Sequence, residues 1–331
     1  MRKLSKALML PVAVAAVATV TTYSEPVQAW EPKKPVELII MAGTGGGADQ
    51  IARLLQGLVE KKDLSPRPII PINKPGGSGA EALRYMQDKS GDDHTILVTL
   101  NSFYTTPVIQ DIGVDVTSFT PIGRMALDNF LLWVHSDMSD ITDLDSYVAA
   151  VKAAGGKWKV GGTGSGQEDS ILTAMMEKEF GYEVTYIPFP GGGTVAKNLV
   201  GKHIDSTVNN PAEQSEFHRA GNTKPLVQFT AARLPAYPDT PTAKELGTDM
   251  QYYMQRSING PPGMSAEAQE WYINLFKTLF DSEEWQTFCT DDGLACDTWL
   301  SGNDLGEYHQ SQIALHKELI EAVGASAITG E

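Results

Sequence analysis

The stretch VELIIMAGTGGGADQIARLL, residues 36–55, decides the fold. Its opening, VELIIMA (36–42), is an apolar run of the length and kind that forms a buried strand. A glycine-rich turn follows. From Ala48 to Val59, Ile51, Leu54, Leu55 and Leu58 then recur at helical spacing. Strand, glycine turn and helix together make a βα unit, and the same unit recurs along the chain. RPIIPIN (67–73) leads through Gly76–Gly79 into a helix over 80–87, and HTILVTL (94–100) is a third strand. LLWVHS (131–136) opens a second set: a helix over 144–154, WKVGG (158–162), a helix over 169–180, VTYIPF (184–189), a helix over 194–200 and LVQFTA (226–231). The stretch 250–263 reads as a strand returning to the first set, and helices over 266–280 and 304–323 follow it. Strands alternating with helices predict an α/β protein with mixed, mainly parallel sheets. A chain that leaves one unit, builds another and returns predicts two lobes joined by crossing strands.

Four glycine turns share one design: 43–49 (GTGGGAD), 74–80 (KPGGSGA), 161–170 (GGTGSGQEDS) and 190–194 (PGGGT). Glycine lets a ligand approach the main chain, and the helix that follows offers unpaired N–H groups and the positive end of its dipole. Such turns suit a carboxylate or phosphate. In open α/β sheets they lie at the carboxyl ends of strands, where ligand crevices form. A single turn of this kind also serves as plain chain reversal.

Composition narrows the function. The chain has 331 residues and a formal charge of −15 with no dense Lys/Arg run, which argues against a nucleic-acid partner. Residues 1–29 read as a secretory signal peptide: Arg2, Lys3 and Lys6, a short apolar segment 7–20, and Val27-Gln28-Ala29 before a cut after Ala29. The apolar segment is too short to span a bilayer and holds Pro11. In an oxidising compartment Cys289 and Cys296 can close a small disulfide loop; the alternative is two unpaired thiols.

Enzymatic signatures are weak. Gly43–Ala48 fits G-x-G-x-x-A with Asp63 about twenty residues on, but Asp63 lies in a turn rather than at the end of a second strand. No GK[ST] loop, G-x-S-x-G elbow or HExxH is present, and the six histidines are scattered. His135 with Asp137 and His203 with Asp205 read as surface residues, and Glu283-Glu284 and Asp291-Asp292 as solvated charges. No cofactor, metal site or catalytic pair is expected.

The chain resembles the tripartite tricarboxylate transporter receptors, the TctC or Bug-type solute-binding proteins. Five segments carry the likeness: Lys34-Pro35 before VELII with GGGAD and IARLL; Asn73–Gly77; Gly161–Ser170; Ile187–Gly193; and Leu234–Leu246. The resemblance implies a two-lobed periplasmic-binding-protein fold, type II-like, that closes on its ligand. It implies a monomeric receptor that captures a small organic acid and delivers it to a permease with one large and one small membrane subunit. Residues 30–127 with 249–331 would form lobe 1, and 128–248 lobe 2. The implied ligand contacts are Thr44, Gly45, Gly46, Gly47 and Asp49; Gly164, Ser165, Gly166, Gln167, Asp169 and Ser170; Gly192, Gly193 and Thr194; and Asn210. Ser102, Phe103 and Tyr104 either wall the cleft or are buried in the core. Arg256 pairs either with a ligand anion or in a structural salt bridge. The chain departs from the family at Met41–Thr44, which lacks an aromatic wall, and at Ala48, which lacks a hydroxyl. It departs again at Gln167–Ser170, where two acids, Glu168 and Asp169, start a helix. These acids either cap the helix or face the cleft, where they would disfavour a second carboxylate and favour amino or hydroxyl groups.

Overall fold

The structure, a computed structural model, describes residues 30–324, so the expected signal peptide lies outside the described residues. The chain runs β1 (Val36–Ile40), α1 (Gly47–Lys61), β2 (Ile69–Asn73), α2 (Ala80–Asp88), β3 (Thr95–Val98), α3 (Ser102–Ile109) and β4 (Thr120–Asn129). It passes through Phe130 alone into β5 (Leu131–His135). There follow α4 (Leu144–Ala154), β6 (Lys159–Thr163), α5 (Glu168–Phe180), β7 (Thr185–Phe189) and α6 (Gly192–Val200). Next come β8 (Ser206–Thr207), α7 (Pro211–Arg219) and β9 (Thr223–Gln228). Residues 229–252 lead back to β10 (Tyr253–Gly260), and α8 (Ala266–Phe280), α9 (Glu283–Asp291), β11 (Leu300–Ser301) and α10 (Gly302–Val323) complete it.

One sheet has the order β11-β4-β10-β3-β1-β2 and the other β7-β6-β8-β5-β9. The sheets are mixed and most strands run in one sense, as expected: β10 and β11 alone oppose the others in the first sheet, and β5 alone in the second. Parallel pairing is confined to β2-β1-β3 and to β7-β6-β8. β10 runs antiparallel to β3 and β4, and β5 antiparallel to β8 and β9. The cause lies in β4 and β10, one leaving the first sheet and the other returning to it, so they run in opposite senses.

Local chemistry explains the elements. α1 turns Ile51, Leu55, Leu58 and Val59 into the core and leaves Arg53 and Glu60 outside, so its amphipathic stripe fixes its rotation on the sheet. α4 starts with a reciprocal Asp143–Ser146 capping box and stops at Gly155, whose φ of 56° is cheap for glycine. β5 is buried on both faces: Leu132 and Val134 join the main core, while Leu131 and Trp133 join a second cluster with Val195, Leu199 and Ile204. At the crossing, Phe229 N donates to Phe130 O and Tyr252 N to Phe229 O, so the outgoing and returning chains touch.

Cys289 and Cys296 are joined in a disulfide. Within the loop it closes, Ala295 exchanges backbone hydrogen bonds with Leu127 of β4, and the Gly293 carbonyl accepts from Asn129 Nδ2. The loop is thereby fastened beside the crossing.

Candidate functional site

The glycine turns of the two sheets meet. Gly43 N donates to Pro190 O at 3.0 Å. A Cβ on Gly193 would come within 2.4 Å of Gly45 O, and one on Gly43 within 2.9 Å of Pro190 O. Only residues without a side chain let these turns close backbone on backbone. Farther along the same seam, Ser78 Oγ donates to Ser165 O at 2.8 Å and Thr105 Oγ1 to Gly166 O at 3.0 Å.

Two carboxylates from the second sheet's helices reach helix N-termini beside the first sheet. Glu213, in the first turn of α7, accepts from Gly47 N at 3.0 Å, where α1 begins. Its other oxygen accepts from Asn209 Nδ2 at 2.6 Å and Asn210 N at 3.2 Å. Glu168, the first residue of α5, accepts from Ser102 N, where α3 begins. Helix dipoles favour negative charge at both places. Burial still pushes both carboxyls above their ordinary values, and their bonds and the Arg256 charge only partly oppose it.

Arg256 stands between them. It is 1% exposed, and its Nε donates to Asp128 Oδ2 at 3.0 Å. Nη2 donates to the same oxygen and, at 3.1 Å, to Asn210 Oδ1. Nη1 has no hydrogen-bond partner. Seven more buried atoms among the described residues share that condition, and Ser102 Oγ, Thr163 Oγ1 and Glu168 Oε2 are three of them. Native interiors rarely leave such atoms unpaired, so each of these keeps capacity for a further hydrogen bond. The set can donate to an anion and accept from a donor.

The other expected contacts divide. Thr44 and Gly45 lie exposed at the rim, whereas Gly46 and Gly47 are buried against Glu213. Asp49 is consumed by its own turn: it accepts from Gly45 N at 2.9 Å, Arg53 Nε at 3.0 Å and Asn73 Nδ2 at 3.0 Å. Those bonds outweigh burial and hold its carboxyl below the ordinary value. Tyr104 leaves the cleft for the core, where its hydroxyl bonds His309 Nδ1 at 2.8 Å; Phe103 packs beside it at 5.5 Å between centroids. Gly164, Ser165 and Gly166 form the turn that closes on α3, with Gln167 buried as the N-cap of α5. Ser170 Oγ donates to Gln167 O, and Asp169 accepts from Thr163 N at 2.7 Å. Burial, followed by the nearby Glu213 charge, pushes the Asp169 carboxyl well up. Gly192, Gly193 and Thr194 open α6 against the first glycine turn. Asn210 accepts from Arg256 at 3.1 Å and donates to Asn129 O at 2.7 Å.

Two surface expectations fail. His135 is buried at the end of β5 and accepts from Asp137 N through Nδ1. Asp292 is half-buried, and burial lifts its carboxyl to about 6. It lines a groove of about 400 Å³ that runs between the sheets past Gly45, Gly193 and Glu213. Glu213 and Asp128 escaped the sequence reading. Asn210-Pro211-Ala212-Glu213 carried a signal for the first, an N-cap, a Pro at N1 and a Glu at N3. The dinucleotide reading loses its donors, since Gly43, Gly45 and Gly47 N–H groups serve Pro190, Asp49 and Glu213. Among the described residues no cluster of His, Cys, Asp or Glu is arranged to hold a metal, and no helix is long and apolar enough to cross a membrane.

The sequence pattern described as "Tripartite tricarboxylate transporter family receptor" matches residues 51–325. A Cupriavidus necator protein named "UPF0065 protein in gbd 5'region" is 25% identical over 294 residues, covering 88% of each chain. BugT of Bordetella pertussis is 24% identical over 219 residues, 65% of this chain and 67% of BugT. Among solved structures, the periplasmic binding protein BugD superposes with a TM-score of 0.83 at 20% identity, covering 89% of this chain and 99% of BugD. MatC from Rhodopseudomonas palustris with bound malate superposes with a TM-score of 0.80 at 21% identity, covering 87% and 99%. A further R. palustris protein, solved with adipate, gives 0.82 at 21% identity, covering 88% and 98%. These likenesses establish the two-lobed periplasmic-binding-protein fold.

Proposed function

Because the chain belongs to the tripartite tricarboxylate transporter receptor family, a family of periplasmic solute-binding proteins, we propose that it binds a small organic acid between its lobes. It is non-enzymatic, needs no cofactor, and hands the solute to a permease of one large and one small membrane subunit. The signal peptide is removed after Ala29 and the receptor works as a periplasmic monomer. Residues 30–127 with 249–331 move as one body and 128–248 as the other.

The observation that carries this reading is Arg256 Nη1, a buried cationic donor without a partner. A ligand carboxylate there would complete the hydrogen bonding of a guanidinium already fixed in orientation by Asp128. Gly164–Ser170 and Gly191–Thr194 supply the second lobe's side of the contact, and Gly43–Gly47 and Ser102 the first lobe's. Opening would break the Gly43–Pro190, Gly47–Glu213, Ser78–Ser165 and Thr105–Gly166 bonds together. The solute shifts the balance by binding only where both halves meet.

The test is a thermal-shift screen of the purified protein against di- and tricarboxylates, hydroxy acids, aromatic acids, amino acids and NAD. A ligand at about a hundred times its Kd stabilises by ~2.7 kcal/mol, a shift of several degrees. A response to one class of organic acid is expected. Silence toward every acid, or a response to NAD alone, would end the proposal.

A further inference from the structure

Resting on the reading that a carboxylate binds at Arg256, we propose that the solute also carries a protonated amino group. It is a zwitterion of the amino-acid type, its carboxylate on Arg256 Nη1 and its ammonium on Glu168 Oε2.

The unpaired groups differ in what they can bond. Guanidinium Nη1 can only donate, and an ionised carboxylate oxygen can only accept. Arg256 Nη1 and Glu168 Oε2 are both buried and both without partners, while Ser102 Oγ and Thr163 Oγ1 can serve either way. A complementary solute brings one acceptor group and one donor group. A dicarboxylate brings two acceptors and leaves Glu168 Oε2 facing another oxygen.

Charge favours the same solute. Arg256 is the guanidinium among four carboxyl groups, Asp128, Glu168, Asp169 and Glu213, each of them buried enough to titrate above its ordinary value. Asp128 already takes two of its donor groups. A second anionic group would place like charge beside a carboxylate whose ionised form burial already disfavours. A zwitterion adds no net charge and offers Glu168 a cation.

Geometry singles out Glu168. Glu168 is held by one oxygen on Ser102 N, so its other oxygen is fixed rather than swinging. Glu213 cannot play this part, because its two oxygens already accept from Gly47, Asn209 and Asn210. Asp49 is likewise spent on Gly45, Arg53 and Asn73.

The experiment is isothermal titration of the purified protein with the common amino acids and with succinate, malate and adipate. The best amino acid is then compared with its analogue lacking the amino group. An amino acid should bind at least tenfold more tightly than that analogue. E168Q should lose roughly 10- to 100-fold for the amino acid, the worth of a charged hydrogen bond, and less than threefold for the analogue. Where E168Q fails to fold, the paired ligands on the unaltered protein decide alone. Binding of dicarboxylates with no response to amino acids would overturn the zwitterion and keep the receptor. Equal losses for both ligands in E168Q would overturn the role of Glu168. No binding of any acid would remove both proposals.

Discussion

The turns that open α1 and α5 have nearly the same sequence design and opposite electrostatics. Each runs from a strand through glycines to a helix whose first turn carries acid, Asp49 in one and Glu168 beside Asp169 in the other. Asp49 folds back on its own turn and collects three donors, which pull its carboxyl down against burial. Glu168 reaches across to Ser102 and keeps one oxygen unpaired, and burial wins. What separates them is the number of donors each has been given. One acid is structural mortar, and the other keeps an oxygen free to accept.

The largest effect that would break the comparison lies at the residue holding Arg256 between the two turns. Asp128→Ala strands a buried guanidinium and should cost about 3–5 kcal/mol in urea unfolding. A loss under 1 kcal/mol would mean that Arg256 is held by Asn210 and by solvent instead. Next, Asp49→Ala should cost about 2 kcal/mol, since the Gly45 N–H and the Asn73 amide lose their acceptor. Amide exchange should rise over residues 43–47.

The pH dependence sharpens the contrast because the signs oppose. The stabilisation from Asp49 is present above its ordinary value of 3.8 and is lost as pH falls through its lowered one. Glu168 favours folding in its protonated form. That contribution is full below its ordinary value of 4.5 and disappears as pH rises through the raised one. Denaturation series across pH should therefore show the acid-side loss flattened in Asp49→Asn and the loss above 4.5 flattened in Glu168→Gln. Parallel curves for both variants would erase the distinction. The smallest effect is expected at Ser102→Ala. Removing a hydroxyl with no partner should change stability by less than about 0.5 kcal/mol, whereas solute affinity should fall. A large loss of stability with unchanged affinity would make that hydroxyl part of the core.

Legibility in the sequence followed the same division. Where burial imposes periodicity, the elements were readable: α4 and α8 begin and end where their patterns and caps predict. β4 was hidden because TPIGRMALDN starts around Pro121, contains Gly123 and carries Arg124 and Asp128. Its charges are tolerated inside only because β10 supplies Arg256 and because Arg124 reaches Thr298 O and lies 4.8 Å from the Tyr308 ring centre. α3 was obscured by Pro107 and β-branched residues, and α7 by the lack of an apolar stripe in PAEQSEFHR. The glycine turns were legible as places for anions. That two protein carboxylates occupy helix N-termini across the seam was not, because it depends on residues 66 and 166 positions apart being brought together.

The contact between Phe130 and Phe229 bears on how the chain reaches this shape. Everything from β5 to β9 is one unbroken segment whose two ends meet. The first sheet, by contrast, needs β10 inserted between β3 and β4 from more than a hundred residues downstream. A segment with only internal pairings can assemble while the remainder is still incomplete, and its assembly brings residues 130 and 229 together. The loop that β10 must close is then short rather than long, which removes part of the entropy of that closure. The inserted unit thus shortens the closure that the central strand of the interrupted sheet requires.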